Sequence, residues 1–354
     1  HGALSCREFE IYERIADKLN ALVVTSFLGI GSFNTGSDRC MGYIGHTGHQ
    51  VANHAVNECD FLLVLGARLD VRQTGTVVDK FASNADIAWV DIDINELDNP
   101  RVGVKWKMHL DVAQFCHNFI DALNANDEYD ATWQDKLLDL KLQRLEDRPD
   151  ENSNYIQPRL LLDQIASVMK KDATLVVTGV GCHQHWAARH LPYDPILHTL
   201  ITSGGHGTMG YDLPSSIGAA MACPEKTILC VVGDGSLLMN IQELASLCDR
   251  QLNVKILVLN NNRLGIVSQF QLITWGDDPT TGDFVSPNFS AIAQGFGISS
   301  ARVDSMNSLR EQVDWFWKRV GPVLLEVMID SDSDITPMLL AGQNMGEMWK
   351  GRDL

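Results

Sequence analysis

At 354 residues the chain is long enough for two α/β domains and too long for one small core. A formal net charge of -17 at pH 7 argues against nucleic acid as a partner; an anionic substrate would need locally placed arginine, metal or helix N-termini. No apolar run approaches the roughly 20 residues of a membrane helix, so no membrane partner is expected. Eight cysteines lie scattered without a CxxC pair. Several sit in apolar stretches such as "TILCVVG", which predicts buried free thiols and a reducing, cytoplasmic compartment.

In chain order, Ser5 is placed to cap a helix over 6–20, and "ALVVTSFLGIG" (21–31) reads as a buried strand ending in a glycine-rich turn. A helix through "HQVANHAVNEC" (49–59) precedes strands "FLLVLGARLD" (61–70) and "IAWVDID" (87–93). Short apolar strands alternating with helices predict a doubly wound parallel sheet. This unit begins with a helix, as though its first strand were missing.

Residues 126–157 are polar and acidic, with a helix predicted in "TWQDKLLDLKLQRLE", and mark the expected linker. A second unit then runs from helix 158–171 and strand 173–181 through strands 227–235 and 254–262 to the closing "GPVLLEVMID". The expected division is 1–125 as a first Rossmann-like domain, 126–157 as linker, 158–335 as a second α/β domain, and 336–354 as a C-terminal tail.

"GDG" (233–235) and "NNN" (260–262) each stand at the carboxyl end of a predicted strand, where open α/β sheets bind ligands. Asp234 and an asparagine could converge there on one hard cation that shares its shell with phosphate oxygens, as Mg²⁺ does. The plainer alternative is a helix N-cap aspartate followed by a turn of asparagines. The 24 positions between them, 236–259, match the spacing of a thiamine-diphosphate signature.

With "TSGGHGTMGYDLPSSIGAA", "GVGCHQHWAA" and "GARLDVRQTG", these motifs make the chain resemble the acetolactate synthase catalytic subunits, a family of thiamine-diphosphate (ThDP) enzymes. The resemblance spans nearly the whole sequence. It implies ThDP and Mg²⁺ as cofactors, with the metal on Asp234, Asn261 and the backbone carbonyl of Arg263. It further implies Val180, Gly181, His183, Gln184, Gly235 and Ser236 at the diphosphate, with Gly265 and Ile266 beside it. Gly207 and Met209 would meet the thiamine rings, Met209 as the wedge that holds them in a V.

The family departs from this chain at several points. Cys182 stands for a glutamine, and Phe270 for a tryptophan of the acceptor pocket. In the first domain the family holds FAD; Arg68, Asp70 and Arg72 are candidates for FAD or a substrate carboxylate, although Val71 replaces an acidic residue. The glutamate that activates the thiamine belongs to a preceding domain with no counterpart in this sequence, so the catalytic residue is expected outside it. The chain thus reads as a fragment expected to turn over poorly by itself.

The implied reaction decarboxylates a pyruvate-like 2-oxo acid and ligates the product to a second carbonyl, in a homodimer or homotetramer. Two alternatives stay open: a carboligase acting on a keto-sugar or other acceptor, and a non-catalytic ThDP-binding subunit. His46, His49 and His54 straddle a loop and a helix start and offer no fourth ligand for zinc.

Overall fold

A computed structural model describes residues 2–123, 132–150, 153–169, 172–276 and 282–351. The fold is α/β: every strand pair is parallel, and helices connect the strands. Two compact units emerge. The first comprises 1–146, 193–195 and 336–354; the second comprises 147–192 and 196–335.

The unit boundary therefore falls inside the expected linker, which is not a bare connection. Its helix Thr132–Leu142 belongs to the first unit, because Leu137 is fully buried in that unit's core with Met41, Trp89 and Leu97. The expected tail is likewise part of this unit: Leu339, Met345 and Met348 enter the same core. Apolar side chains at these three positions give the segment more buried surface than a solvated tail would have.

In the first unit, strands β1 (Val23–Thr25) and β2 (Cys40–Tyr43) form one pair. Strands β3 (Phe61–Leu65), β4 (Asp86–Asp91) and β5 (Trp106–His109) form a separate sheet in that order. Residues of β1 and β3 both line a largely apolar cavity of about 250 Å³. The helix expected over 6–20 is split into Gly2–Cys6 and Phe9–Lys18. Arg7, with φ 56°, turns the backbone out of the right-handed helix between them, so Ser5 lies inside the first helix rather than at the N-cap of one over 6–20.

The second unit is a six-stranded sheet. Its strands are β6 (Thr174–Thr178), β7 (His198–Thr202), β8 (Thr227–Gly233), β9 (Val254–Asn260), β10 (Ser299–Val303) and β11 (Val323–Met328), in spatial order β10-β11-β9-β8-β6-β7. β9 is buried along its whole length, as a strand covered on both faces must be. That explains "VKILVL": a nearly continuous apolar run rather than an alternation, broken only by Lys255. Between β8 and β9 the helical segment is interrupted. A short helix Asp234–Leu238 and the helix Leu244–Arg250 flank a 3₁₀ turn at Ile241–Glu243.

Candidate functional site

The chain leaves β6 toward β7 on one side and later returns to place β8 on the other. This reversal opens a crevice beyond the carboxyl ends of β6 and β8, the position at which such sheets bind ligands. A cleft lies there, lined by Val180–His183 after β6, Met209, Gly233–Ser236 after β8, and Asn261 and Arg263–Val267 after β9.

Asp234 heads the short helix after β8 and is 2% exposed. Its carboxylate accepts the Ser286 hydroxyl at 2.8 Å and its neighbour's amide, that of Gly235, at 2.8 Å. Burial pushes its pKa up, while those bonds and the backbone amides of Asn262 and Arg263 pull it down. Burial is the largest of these effects, and among the described residues no cationic side chain pairs with this carboxylate.

The three asparagines separate by role. Asn260 turns to the neighbouring strand and donates to the fully buried Glu326 at 2.8 Å. Asn262, at φ 54°, accepts the amide of Ser286 at 3.1 Å. Asn261 lines the cleft, and its Oδ1 accepts the Arg263 amide at 3.3 Å. The Arg263 side chain is tied elsewhere, to Asp283 and to Asp332, which leaves its backbone as the part that can serve the cleft.

Three helices start at this cleft: Cys182–His190, Asp234–Leu238 and Gly265–Trp275. Their free backbone N–H groups and dipoles favour an anion. The Trp186 indole Nε1, buried and without an acceptor among the described residues, belongs to a side chain of the same wall. The cleft measures about 50 Å³, room for roughly three to five water molecules. That suits a phosphate group and a cation; the rest of a cofactor would have to extend beyond it. Among the described residues no cluster of three or more His, Cys, Asp or Glu is arranged to hold a metal. A cation here would lean on one carboxylate, one carboxamide, a carbonyl and the ligand's own oxygens, a hard donor set suited to Mg²⁺.

Of the residues expected at the site, Val180, Gly181, His183, Met209, Asp234, Gly235, Ser236, Asn261, Arg263, Gly265 and Ile266 are brought together here. Gln184 and Gly207 are not among the lining residues. The Gln184 amide is buried and donates to the Thr202 hydroxyl on β7 at 2.7 Å, because a buried amide must find an acceptor. Gly207 lies in the loop before Met209, with φ 81° and open space around its Cα.

Arg68, Asp70 and Arg72 lie in the first unit. Arg68 pairs with Glu96 at 2.9 Å, and Asp70 caps the helix Val71–Thr74 by accepting the Arg72 amide at 2.8 Å. Phe270 lies in the helix Gly265–Trp275, and residues 277–281 beyond it fall outside the described residues. Ser286, Trp186 and Asp212, whose carboxylate accepts from His183 Nε2 at 3.0 Å, were not foreseen in these roles. Asp212 sits within a quoted motif, yet nothing in "GYDLP" signals that its carboxylate is buried.

The sequence matches two family models: "Thiamine pyrophosphate enzyme, central domain" over residues 2–123 and "Thiamine pyrophosphate enzyme, C-terminal TPP binding domain" over 179–327. It is 33% identical over 353 residues to the acetolactate synthase large subunit of Pyropia yezoensis, covering 98% of this chain and 59% of that protein. It is 35% identical over 328 residues to the isozyme 2 large subunit of Escherichia coli (strain K12), covering 90% and 57%. With the probable acetolactate synthase 2, chloroplastic, of Oryza sativa subsp. japonica it shares 36% identity over 358 residues, covering 96% and 53%. The chain thus spans between half and three-fifths of the length of these relatives. The central-domain model on the first unit and the C-terminal model on the second, whose parallel sheet carries the cleft at its switch point, make the chain a member of the thiamine pyrophosphate enzymes, matching their central and C-terminal TPP-binding domains and similar along its length to acetolactate synthase large subunits.

Proposed function

We propose that this chain is the diphosphate- and metal-holding portion of an acetolactate-synthase-like enzyme that decarboxylates a pyruvate-like 2-oxo acid and ligates the product to a second carbonyl. The observation that carries the reading is the convergence of three helix N-termini on a cleft whose buried carboxylate, Asp234, pairs with no cationic side chain among the described residues. A diphosphate with Mg²⁺ supplies both the anion that the helices favour and the cation that the carboxylate needs. When bound, thiamine diphosphate supplies an electron sink for the carbanion left by loss of CO₂.

In this reading Asp234, Asn261 and the Arg263 carbonyl hold Mg²⁺. His183 and the amides of Gly235 and Ser236 hold phosphate oxygens, and Met209, at the rim, braces the organic part. The apolar wall of Leu259, Leu264 and Ile266 excludes water from the diphosphate. Assembly as a homodimer or homotetramer, and a glutamate supplied from outside these 354 residues, belong to the same proposal.

Titration calorimetry tests it. ThDP should bind the chain with Mg²⁺ present, and binding should vanish with a chelator or in Asp234→Ala. Equal heats in the presence of the chelator, or in that variant, would overturn the assignment. Pyruvate turnover by the chain alone is expected to be poor, and robust turnover would contradict the placing of the activating glutamate outside it.

A further inference from the structure

Asp212 opens the helix Asp212–Ala222 and is fully buried. Its Oδ1 accepts the backbone amide of Gly179 and the His183 Nε2 proton, the latter at 3.0 Å. Its Oδ2 accepts the Ser236 hydroxyl, and that hydroxyl oxygen in turn accepts the Gly210 amide at 2.9 Å. One carboxylate therefore ties the turn after β6, the loop carrying Met209 and the start of the helix after β8. These are three of the segments that line the cleft.

His183 is 4% exposed and has a single hydrogen bond among the described residues, the one to Asp212. Its other ring nitrogen faces two glycines. A Cβ on Gly181 would lie 2.8 Å from Nδ1, and one on Gly233 would lie 2.9 Å from it. Gly181 also needs its φ of 150°, which a side chain disfavours. Two side chains are thus absent where they would cover Nδ1. Because a carboxylate can only accept, Nε2 must carry a proton, and the ring orientation is fixed from that side.

We propose that Asp212 is a positioning residue: it holds His183 with Nδ1 aimed into the cleft and locks Ser236 and the Met209 loop in register, so that the cleft receives a phosphate oxygen. This rests on the reading of the cleft as a diphosphate site. With a proton on each nitrogen, the imidazolium donates to Asp212 through Nε2 and to phosphate through Nδ1, a charge-assisted pair on both sides.

The test uses the full chain, inorganic diphosphate with Mg²⁺ as probe, and ¹⁵N NMR of the His183 ring. Asp212→Ala should shift the ring from the Nε2–H form to a mixture of tautomers and weaken diphosphate binding by more than about tenfold. Asp212→Asn keeps an acceptor without the charge. It should retain the Nε2–H form yet bind diphosphate several-fold more weakly, and it carries the test should the alanine variant not fold.

Wild-type affinity in a folded Asp212→Ala, or in Asp212→Asn, overturns the proposal while leaving the diphosphate site standing. If the wild type binds neither diphosphate nor ThDP, the reading of the cleft falls. The ring spectrum then decides the positioning claim alone: an unchanged tautomer in Asp212→Ala overturns it, and a shifted one upholds it.

Discussion

The Ser286 hydroxyl donates to Asp234 Oδ2 at 2.8 Å, joining two positions 52 residues apart. The bond steadies a carboxylate that burial would otherwise push toward its neutral form. Ser286→Ala should therefore weaken Mg²⁺-dependent ThDP binding by roughly threefold to tenfold, the worth of one hydrogen bond from a half-buried hydroxyl to a buried carboxylate. Calorimetry with and without Mg²⁺ separates this from a general loss of fold, because Asp234→Ala should abolish the Mg²⁺ dependence altogether.

The same carboxylate carries a stability prediction. Its folded pKa is raised by burial, so the ligand-free chain loses stability as pH rises from the unfolded value of about 3.8 through the raised one. Asp234→Asn removes that cost. At pH 7 the ligand-free variant should melt above the wild type while losing its Mg²⁺ response. A lower melting temperature would mean that the hydrogen bonds outweigh the desolvation.

Cys182 begins a helix at the cleft wall, and burial pushes its thiol well above the usual range, with Asp334, Asp147 and Asp234 adding to the effect. A thiol that stays protonated is a poor nucleophile despite its place at a helix N-terminus. Iodoacetamide at pH 8 should alkylate the half-buried Cys223 and Cys248 well before Cys182 in the folded chain. Peptide mapping by mass spectrometry reads this directly, and early labelling of Cys182 would show that the cleft opens in solution.

How far the sequence reached is clearest along "LNNNRLG". The spacing from Gly-Asp-Gly brought Asp234 and Asn261 to one cleft, because adjacent parallel strands end at the same level and their following turns must meet. The sequence could not say that Asn260 would turn away, since its partner Glu326 arrives on β11 from 66 residues on. Gln184 and Thr202 illustrate the same limit: a buried amide selects whichever acceptor the neighbouring strand offers, and pairing across a sheet is not written locally. Short strands such as β2 and β5 escaped notice because four residues give too little periodicity. The packed tail was missed for a different reason: its apolar residues are spaced for neither helix nor strand.

The separated sheets of the first unit make β1 and β3 edge strands, each paired on one side among the described residues. Alternate amides on an edge strand point away from its partner and lack strand protection. Hydrogen exchange should therefore split β3 into slow and fast amides, whereas β8 and β9, paired on both sides, should be protected throughout. Uniform protection of Phe61–Leu65 would mean that another segment pairs with this edge in solution.

Lys255 supplies a prediction in pH. It interrupts the apolar run of β9 and is 3% exposed, and its ammonium donates to the Arg319 carbonyl at 2.8 Å near the rings of Phe316 and Trp317. Burial pulls its pKa from 10.5 down to about 8, against the weaker opposing pull of Asp172. Between those values the unfolded chain binds more protons than the folded one, so this residue makes stability rise with pH across that window. The gain should approach roughly 3 kcal/mol by pH 10.5 and be absent below pH 8, where both states are charged. Other groups titrate in the same range, so the informative quantity is the difference from Lys255→Met. Urea denaturation of both proteins at pH 7, 9 and 10.5 should show the wild type gaining on the variant at each step. Parallel curves would mean that the carbonyls and rings hold the ammonium at its ordinary pKa.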